Sequence, residues 1–353
     1  MIETVIELNG ELNNSVKRVY PELSNLEVNP SLVKQVFKHE RSYGYDEVVV
    51  NAIPSDYGSA YKPRFINFQN YSGTELDYEL TNLDTSLISN FSMMFSSCTN
   101  LTSIPAIDTS NGTNFNGMFN WCPKLEQVPQ IDTSKGTDFN MMFQACGKLT
   151  SIPDIDTSNG TNFGSMFSGC DSLTEIPQLN TSNGTSFDYF AGYCTNITSF
   201  PYINTSKGTG FSGIVQSCSS LTSFPQLNTS NGTSHSYMFD GCTSLVTIPE
   251  LNLSKTKGVS GIVSNCPTLE NLGGFKNVGQ AFSTTAVANY YAYKIDLSSC
   301  TNLTHDSLMN VINKLYNIKG RGCKSQALVL GDNLQKLTSA ERAIATNKGW
   351  TLS

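Results

Sequence analysis

The sequence of 353 residues contains few charged side chains and no excess of basic ones. Charged residues make up 14% of the chain, and 22 lysines and arginines against 29 aspartates and glutamates give a formal net charge of −7 at pH 7. Nucleic-acid-binding surfaces depend on clustered lysine and arginine, so this composition argues against a nucleic-acid partner. No apolar run approaches the roughly 18–20 residues of a membrane span, and we expect no membrane insertion.

Residues and motifs that commonly carry out catalysis are also scarce. The three histidines, His39, His235 and His305, are scattered, with no acid or nucleophile at a recognisable spacing. The sequence contains no Gly-x-Ser-x-Gly, no phosphate-binding loop and no His-Glu-x-x-His. Close cysteine pairs such as Cys-x-x-Cys, which are typical of metal clusters, are absent too. We therefore expect a protein that is not an enzyme, has no catalytic residues and needs no metal or cofactor.

The N-terminal residues lack the pattern of a signal peptide. They carry acidic residues where a signal peptide has basic ones, and they have no long apolar core. The first cysteine is Cys98, so a lipobox cysteine is missing as well. As it stands, the sequence predicts no export by the general secretory route.

What the chain does contain is a repeat with a period of 24 residues, marked by eight cysteines. They are Cys98, Cys122, Cys146, Cys170, Cys194, Cys218, Cys242 and Cys266. A fixed period of about 20–50 residues is typical of a solenoid, in which each repeat is one coil stacked on the next. Because the same position points inward in every coil, we expect a column of buried free thiols that act as small apolar residues. Bridging between neighbouring coils is the alternative, since strand spacing brings such residues within reach of a disulfide.

Each repeat also carries apolar, glycine and turn residues at fixed positions. The apolar positions of Leu101 and Ile104 bound a Leu-Thr-Ser-Ile stretch, which we expect to be a short parallel strand that the following proline ends. The glycines at the position of Gly112 are expected to have positive φ, and the Gly-Met-Phe-x-x-Cys stretch to form one helical turn. His235 takes the position of an inward aromatic residue, which Phe211 holds one coil earlier.

The repeated Met-Phe-x-x-Cys-x-x-Leu-Thr-x-Ile-Pro-x-Ile-Asp-Thr-Ser pattern resembles the BspA-like leucine-rich repeats of bacterial surface proteins and mycoplasma lipoproteins. The resemblance covers about residues 64–275 and recurs in register many times. It implies an α/β repeat fold, a leucine-rich-repeat solenoid with stacked short parallel strands. It also implies a binding or adhesive role, and it does not name a ligand.

One position of the repeat holds carboxylates that could bind cations. It is occupied by Asp84, Asp108, Asp132 and Asp156, and then by Asn180, Asn204, Asn228 and Asn252. Stacked carboxylates repel one another unless they bind a cation or hydrogen-bond their own turn, and calcium favours such oxygens. The other interpretation is an Asx cap on the following Thr-Ser-Asn-Gly turn, which Asp and Asn can both make. The exchange of Asp for Asn favours the cap.

Exposed polar and aromatic residues are the candidate binding groups. The two middle residues of each Leu-Thr-Ser-Ile stretch are expected to face outward, which suits recognition of a glycan or a protein. The candidate ligand-binding aromatic residues differ from the residue types usual at their positions and could stack on sugars; they are Trp121, Tyr189, Tyr193 and Tyr202. The alternative is that they only decorate a solubilising surface.

A short N-terminal segment carries a second resemblance. Asn29-Pro30, together with residues 44–54 (Gly-Tyr-Asp-Glu-Val-Val-Val-Asn-Ala-Ile-Pro), is similar to a module near the N termini of phage tail and fibre proteins. This resemblance implies a small β-element at the attachment end of a virion appendage. The residues that it implicates in attachment are Tyr43, Gly44, Tyr45, Val48, Val50 and Ile53.

The last part of the chain has a different pattern, in which strands and helices alternate. Strands are predicted from Ile295, over residues 327–330 and at Trp350, and helices over residues 304–316 and 338–345. Thr304 is the expected N-cap of the first helix, and Thr338 or Ser339 that of the second. Such a unit closes the open end of a solenoid. The ending, residues 348–352 (Lys-Gly-Trp-Thr-Leu), is similar to the C-terminal cap of leucine-rich repeat proteins from gut Bacteroidetes and their phages.

Together these observations predict an N-terminal attachment module over residues 1–63, a BspA-like solenoid over residues 64–284 and an α/β cap over residues 285–353. The leading hypothesis is a phage virion protein. It attaches to other virion proteins through residues 1–63 and displays the solenoid to a host-surface glycan or protein, or to another fibre. The alternatives are a bacterial cell-surface adhesin and a capsid or tail decoration protein without a receptor. A homo-oligomer is compatible with each of the three.

Overall fold

The computed structural model describes residues 85–86, 88–280, 294–320 and 326–353. The predicted attachment module, residues 1–63 with Tyr43, Gly44, Tyr45, Val48, Val50 and Ile53, lies outside the described residues. The chain forms two compact units. The first comprises Met1–Asp138 and Met142–Asn159, and the second comprises Phe139–Met141 and Gly160–Ser353. The boundaries of the three regions stay a prediction.

In the first unit, neighbouring coils are joined through the stretch that ends at the repeated cysteine, which we call the turn segment. It spans residues 91–98 in one coil and residues 115–122 in the next. Every second amide of residues 91–97 donates to a carbonyl of the next coil at 2.7–2.8 Å: Phe91 to Asn114, Met93 to Asn116, Phe95 to Met118 and Ser97 to Asn120. Single parallel bridges, Asn90 with Asn114 and Asn114 with Asp138, precede this ladder. The coils of this unit therefore stack through parallel backbone hydrogen bonds.

The second unit repeats the same ladder. Its turn segments include residues 187–194, 211–218, 235–242 and 259–266. In the first of these, four amides donate to the next coil at 2.6–3.0 Å: Phe187 to Gly210, Tyr189 to Ser212, Ala191 to Ile214 and Tyr193 to Gln216. Thus each turn segment of this unit is fixed to its neighbour at several points.

The turn segment contains left-handed residues and no helix, so the predicted helical turn is wrong. The amide of Met94 bonds to the carbonyl of Phe91 and closes a turn, and the third residue of that turn, Met93, has φ of 56°. A second left-handed residue, Ser97, follows with φ of 60°. Met93 and Ser97 each occupy the third position of a β-turn of a type that requires positive φ there. The same two positions are left-handed in further coils, for instance at Gly117, Trp121, Tyr189, Tyr193, Gly213, Ser217, Tyr237, Gly241, Gly261 and Asn265.

Strand structure at the Leu-Thr-Ser-Ile position, which we call the strand segment, is confined in the described residues to the end of the repeat array. There β1 (Thr247–Ile248) pairs in parallel with β3 (Asn271–Leu272). Just beyond the strand segments, β2 (Leu251–Asn252) pairs in parallel with β4 (Phe275–Lys276). The prediction of a strand in every coil is wrong for the earlier described coils, where hydrogen bonds between strand segments are few. At the end of the array Gly273 stands where earlier coils have proline, and its amide donates to the Ile248 carbonyl at 2.9 Å. Proline has no amide to make this bond.

The apolar positions of the repeat form the core, as predicted. In the first unit Phe91 stacks on Phe115 with ring centroids 5.6 Å apart, and in the second Phe163 stacks on Phe187 at 5.7 Å. The leucine position, represented by Leu101, and the eight array cysteines are buried. The inward columns are thereby confirmed.

Glycines at the Gly112 position are not left-handed, which corrects the expectation from the sequence. Positive φ occurs at none of Gly112, Gly160, Gly184, Gly208 and Gly232. A Cβ atom on Gly208 would lie 2.6 Å from Cζ of Phe211, and one on Gly184 would lie 2.5 Å from Cζ of Phe187. Glycine stands there because the aromatic ring of the same coil packs against its Cα atom.

The C-terminal part of the second unit has the predicted alternation of strands and helices. In the described residues, β5 (Lys294–Asp296), β6 (Gln326–Val329) and β7 (Trp350–Leu352) form a parallel sheet in that order. Helix α1 (His305–Lys314) follows β5, and a 3-10 helix (Gly331–Lys336) and α2 (Ser339–Asn347) lie between β6 and β7. The Thr304 side chain accepts from the Ser307 amide, and Thr338 forms a capping box with Glu341. Both predicted N-caps are confirmed.

Candidate functional site

Three tyrosines of the second unit lie on the outer surface of its turn segments. Tyr189 and Tyr237 occupy the first left-handed position of their coils and Tyr193 occupies the second, with φ of 56°, 58° and 63°. Tyr193 is 45% exposed and Tyr237 is 43% exposed, whereas Tyr189 is half-buried. Their amides are ladder donors, so the backbone that joins the coils also fixes the origin of each tyrosine side chain.

The rings of Tyr189 and Tyr237 lie over glycines of the following coil. A Cβ atom on Gly213 would come within 2.6 Å of two ring carbons of Tyr189, and one on Gly261 within 2.7 Å of the Tyr237 ring. Because glycine removes the side chain that would fill this space, each ring packs directly against backbone. Tyrosine and glycine thus alternate at this position over four consecutive coils.

Tyr189 shares its turn segment with Tyr193 and its repeat position with Tyr237. Partial burial raises the pKa of its phenol, and nearby Tyr193, Asp188 and Tyr237 raise it further. We call the cluster of Tyr189, Tyr193 and Tyr237 the tyrosine surface.

Carboxylate and amide groups of the same turn segments are held in fixed orientations. Oδ1 of Asp188 accepts the backbone amide of Ser212 at 2.8 Å. Asp240 accepts from Nε2 of Gln216 at 2.9 Å and from Nδ2 of Asn265 at 3.1 Å. Aromatic faces with a few oriented polar groups suit a ligand that has both apolar faces and hydrogen-bonding groups.

The other two predicted aromatic residues occupy different places. Tyr202, in the second unit, is 62% exposed and follows the strand segment; its carbonyl accepts from Nε2 of Gln178 at 2.9 Å. Trp121, in the first unit, is 59% exposed and left-handed. Of the four predicted aromatic residues, Tyr189 and Tyr193 are therefore the pair that the structure brings together.

Sequence reasoning missed Tyr237. It precedes Met238-Phe239, which belong to the buried part of the repeat, so it did not stand out as a surface residue. The available signal was its column, since Tyr189 and Tyr237 stand 48 residues apart, two repeat periods, and each is followed one period later by glycine.

The aspartate column caps turns. Oδ1 of Asp108, Asp132 and Asp156 accepts the amide two residues further on at 2.8–2.9 Å, and the four asparagines of the column make the same bond. Hydrogen bonds from Ser134 lower the pKa of Asp132, and those from Ser158 lower the pKa of Asp156. The Asx-cap interpretation is confirmed for these residues, while Asp84 lies outside the described part. Within that part, His, Cys, Asp and Glu side chains form no group of three or more that could hold a metal ion.

The array cysteines take part in the core as hydrogen-bond donors. Sγ of Cys122 donates to the Phe95 carbonyl at 3.0 Å, and Cys146, Cys194, Cys218, Cys242 and Cys266 make the equivalent bond to the coil before them. Burial raises the pKa of Cys194 and of Cys242 to about 12. Thiols that stay buried and protonated are unreactive, and the prediction of free buried thiols is confirmed.

His235 is a core residue, as its column predicts. Its ring stacks on Phe211 at 5.3 Å and is fully buried, and Nδ1 pairs with Oγ1 of Thr256 at 2.9 Å. Thr256 stands where other coils have glycine, and Val259 replaces the bulky ring of that coil. Burial lowers the pKa of His235 to about 3. The imidazole is therefore neutral at pH 7 and takes the place of a phenyl ring.

Among the described residues, none of the helices has the length and apolar character needed to cross a membrane.

The family described as "Mycoplasma protein of unknown function, DUF285" matches residues 66–180 and 150–273. Together these ranges span more than half of the chain and include the coils that carry the tyrosine surface. No curated protein matches the chain.

Two solved structures of leucine-rich proteins are similar to parts of the chain. A leucine rich cell surface protein from Faecalibacterium prausnitzii A2-165 has 17% identity and a TM-score of 0.28, over 60% of this chain and 74% of that chain. A leucine-rich repeat protein from Eubacterium ventriosum ATCC 27560 has 16% identity and a TM-score of 0.25, over 59% of this chain and 76% of that chain. At these TM-scores, neither similarity supports a statement about function.

Proposed function

We propose that this chain, which belongs to the DUF285 family, is a surface-displayed binding protein that recognises its partner with the outer face of its coils. The observation that carries the proposal is the tyrosine surface, in which exposed aromatic rings are fixed by a ladder of backbone hydrogen bonds. The groups that could suggest chemistry have structural roles instead, since the aspartates cap turns, the cysteines fill the core and His235 is a neutral ring in an aromatic stack.

The repeat suits recognition by many weak contacts. Coils of the second unit present a similar set of polar side chains at the outward strand-segment positions, for example Thr198-Ser199 and Thr222-Ser223, which are exposed. Several weak contacts made by one rigid scaffold add up to an affinity far above that of any single contact. A partner with a repeating structure of its own, such as a polysaccharide or a fibre, gains most from this arrangement.

For the carrier of this surface, our leading proposal is a phage virion, with residues 1–63 attached to other virion proteins. Its support is the resemblance of residues 44–54 to phage tail and fibre modules. A bacterial cell surface is the alternative carrier, supported by the resemblance of the repeats to BspA-like surface proteins. A decoration protein without a receptor is the third form, and it predicts that deletion destabilises particles while host adsorption stays unchanged.

The binding proposal is tested by titrating the full chain, labelled with a fluorophore, onto intact cells of the bacterium that carries the gene or propagates the phage. A non-host strain is the control. We expect saturable binding that selects the host, and lack of saturable binding would contradict the proposal. Mass spectrometry of purified virions and of the cell-surface fraction then decides the carrier, because the protein must be found in one of the two.

A further inference from the structure

We infer that the tyrosine surface is a subsite for a neutral sugar chain that runs along the stacked coils across Tyr189 and Tyr237, with Tyr193 beside it. The inference rests on the proposed function, because it names the ligand class for the same binding face.

The first argument is the geometry of the rings. Tyr189 and Tyr237 are two coils apart, and parallel backbone pairing spaces neighbouring coils by roughly 4.8 Å, so their backbones lie about 10 Å apart along the stack. Gly213 and Gly261 leave room for these rings, since a Cβ atom on either glycine would come within 2.6–2.9 Å of two carbons of the tyrosine ring. Two seated aromatic rings in line give an elongated platform that a short oligosaccharide can bridge. Flat aromatic faces pack well against the apolar faces of sugar rings.

The second argument is the availability of hydrogen-bonding groups. Among the described residues, the hydroxyl groups of Tyr193 and Tyr237 have no hydrogen-bond partner, although both residues are well exposed. Asp188 and Asp240 each retain acceptor capacity after the contacts that orient them, because a carboxylate has about four lone-pair sites. Sugar hydroxyl groups are donors and acceptors at once, and they can pair with both kinds of group.

The third argument is charge. The four turn segments, residues 187–194, 211–218, 235–242 and 259–266, contain no lysine or arginine, and their acidic residues are Asp188 and Asp240 alone. A sulfated, phosphorylated or sialylated ligand would therefore find like charge there and no cation within these segments to offset it. The two negative charges would also attract a cationic peptide, so the salt dependence of binding has to separate that ligand from a neutral sugar.

The test uses the full chain and an array of neutral oligosaccharides together with soluble neutral glucan and mannan. We expect binding to at least one neutral glycan. We also expect the double variant Tyr193→Ala/Tyr237→Ala to weaken that binding by about tenfold or more, because it removes two aromatic contacts. Tyr202→Ala is the control, because it removes an exposed tyrosine of the same unit that lies outside the tyrosine surface, and it should leave the affinity for the neutral glycan unchanged.

A second variant guards against a folding artefact. Tyr193→Phe/Tyr237→Phe keeps both rings and removes the hydroxyl groups, so we expect an intermediate loss of affinity with an unchanged circular dichroism spectrum. The affinity for a neutral glycan should change little between low and high salt, whereas a cationic ligand would lose affinity steeply.

Three results would overturn the inference. They are the absence of binding to any neutral glycan on the array, binding that the double alanine variant retains, and salt-sensitive binding that only basic peptides show. Cell binding separates this failure from failure of the proposed function. If the double alanine variant binds host cells as the parent does, the binding role stands and this subsite is wrong; if the parent itself binds no cells, the proposed function fails.

Discussion

The turn segment and the strand segment of one coil differ in how they join neighbouring coils. In the coil that carries Tyr189, four turn-segment amides donate to the next coil, whereas the strand segment, residues 197–200, contributes the Thr198 carbonyl, which accepts from the Thr222 amide at 3.2 Å. Both segments bury their apolar residues, the turn segment slightly more completely. The comparison teaches that a buried apolar column identifies the core. It does not identify which backbone segment makes the hydrogen bonds between coils. In this protein the ladder runs through turns with left-handed residues.

The largest expected effect compares one buried phenylalanine in each segment. Phe163, in a turn segment, is fully buried between Phe139 and Phe187, with centroid distances of 5.8 Å and 5.7 Å. Phe224, in a strand segment, retains 5% exposure. We expect Phe163→Ala to cost about 4–5 kcal/mol of unfolding free energy and Phe224→Ala about 3 kcal/mol, because a rim site collapses more easily around a cavity. Denaturant unfolding measures both values, and a larger loss at Phe224 would contradict the comparison.

The next effect uses the turn-segment column in which His235 replaces phenylalanine. Burial lowers the pKa of His235 to about 3 in the folded chain. The unfolded chain takes up a proton below its ordinary pKa of about 6.5 while the folded chain does not, so stability falls as the pH drops from about 6.5 towards 3. At pH 4.5 the loss from this group is about 2–3 kcal/mol. His235→Phe should remove that part of the pH dependence, as measured by urea unfolding at pH 7 and pH 4.5.

His305 supplies the control for this prediction. It is an exposed residue whose pKa is raised by the hydrogen bonds that its ring donates to the carboxylates of Glu341 and Asp306. His305→Gln should leave the loss of stability between pH 7 and pH 4.5 almost as it is in the parent. If His235→Phe also left it unchanged, the buried neutral imidazole would not be its source.

A smaller effect tests whether close packing or backbone conformation is the reason for glycine at the Gly112 position of the repeat. Gly208→Ala places a methyl group 2.6 Å from Cζ of Phe211, and we expect a loss of about 1–3 kcal/mol from overpacking. Adding Phe211→Leu should recover part of that loss, with a coupling energy of about 1 kcal/mol in a double-mutant cycle. Gly258→Ala is the control, since the atoms near its added methyl group belong to serine hydroxyl groups. Zero coupling between the two substitutions would point back to a conformational need for glycine.

The smallest effect concerns the left-handed positions of the turn segment. Ser165 has φ of 54°, a conformation that costs a residue with a Cβ atom about 1–2 kcal/mol and glycine nothing. Since glycine loses about 0.5–1 kcal/mol through backbone entropy, Ser165→Gly should raise the unfolding free energy by about 0.5–1 kcal/mol. Ser199→Gly, in a strand segment, should lower it by a similar amount. Thermal unfolding measures the stability of both variants. Stabilisation by Ser199→Gly and not by Ser165→Gly would contradict the prediction.

The buried core could be predicted from the sequence, but the ladder of hydrogen bonds between coils could not. Columns such as Leu101, Cys122 and Phe163 repeat because coils stack, so their burial followed from the period. Positive φ was assigned to Gly112 because glycine is the usual left-handed residue, but close ring packing requires glycine there. Glycine does hold the true left-handed positions in some coils, as at Gly117 and Gly213, but others are filled by residues such as Met93, whose identity gives no hint of positive φ.

The candidate site was likewise predictable in part. Tyr189 and Tyr193 were predictable because they differ from the residue types usual at their positions. Tyr237 and its glycine neighbours were not, because their meaning depends on contacts between coils that only the ladder register defines. The caps at Thr304 and Thr338 were predictable because a capping bond is local in sequence.

Amide hydrogen exchange on the full chain tests most directly whether the turn segments hold the coils together. The donors Phe187, Tyr189, Ala191 and Tyr193 each bond to the next coil, while the amides of Thr198, Ser199 and Phe200 donate no hydrogen bond within the described residues. We predict slow exchange at the four turn-segment amides, close to the rate of global unfolding, and fast exchange at the three strand-segment amides. Fast exchange in the turn segment with protection in the strand segment would contradict the account, and it would also remove the rigid support on which the proposed tyrosine surface depends.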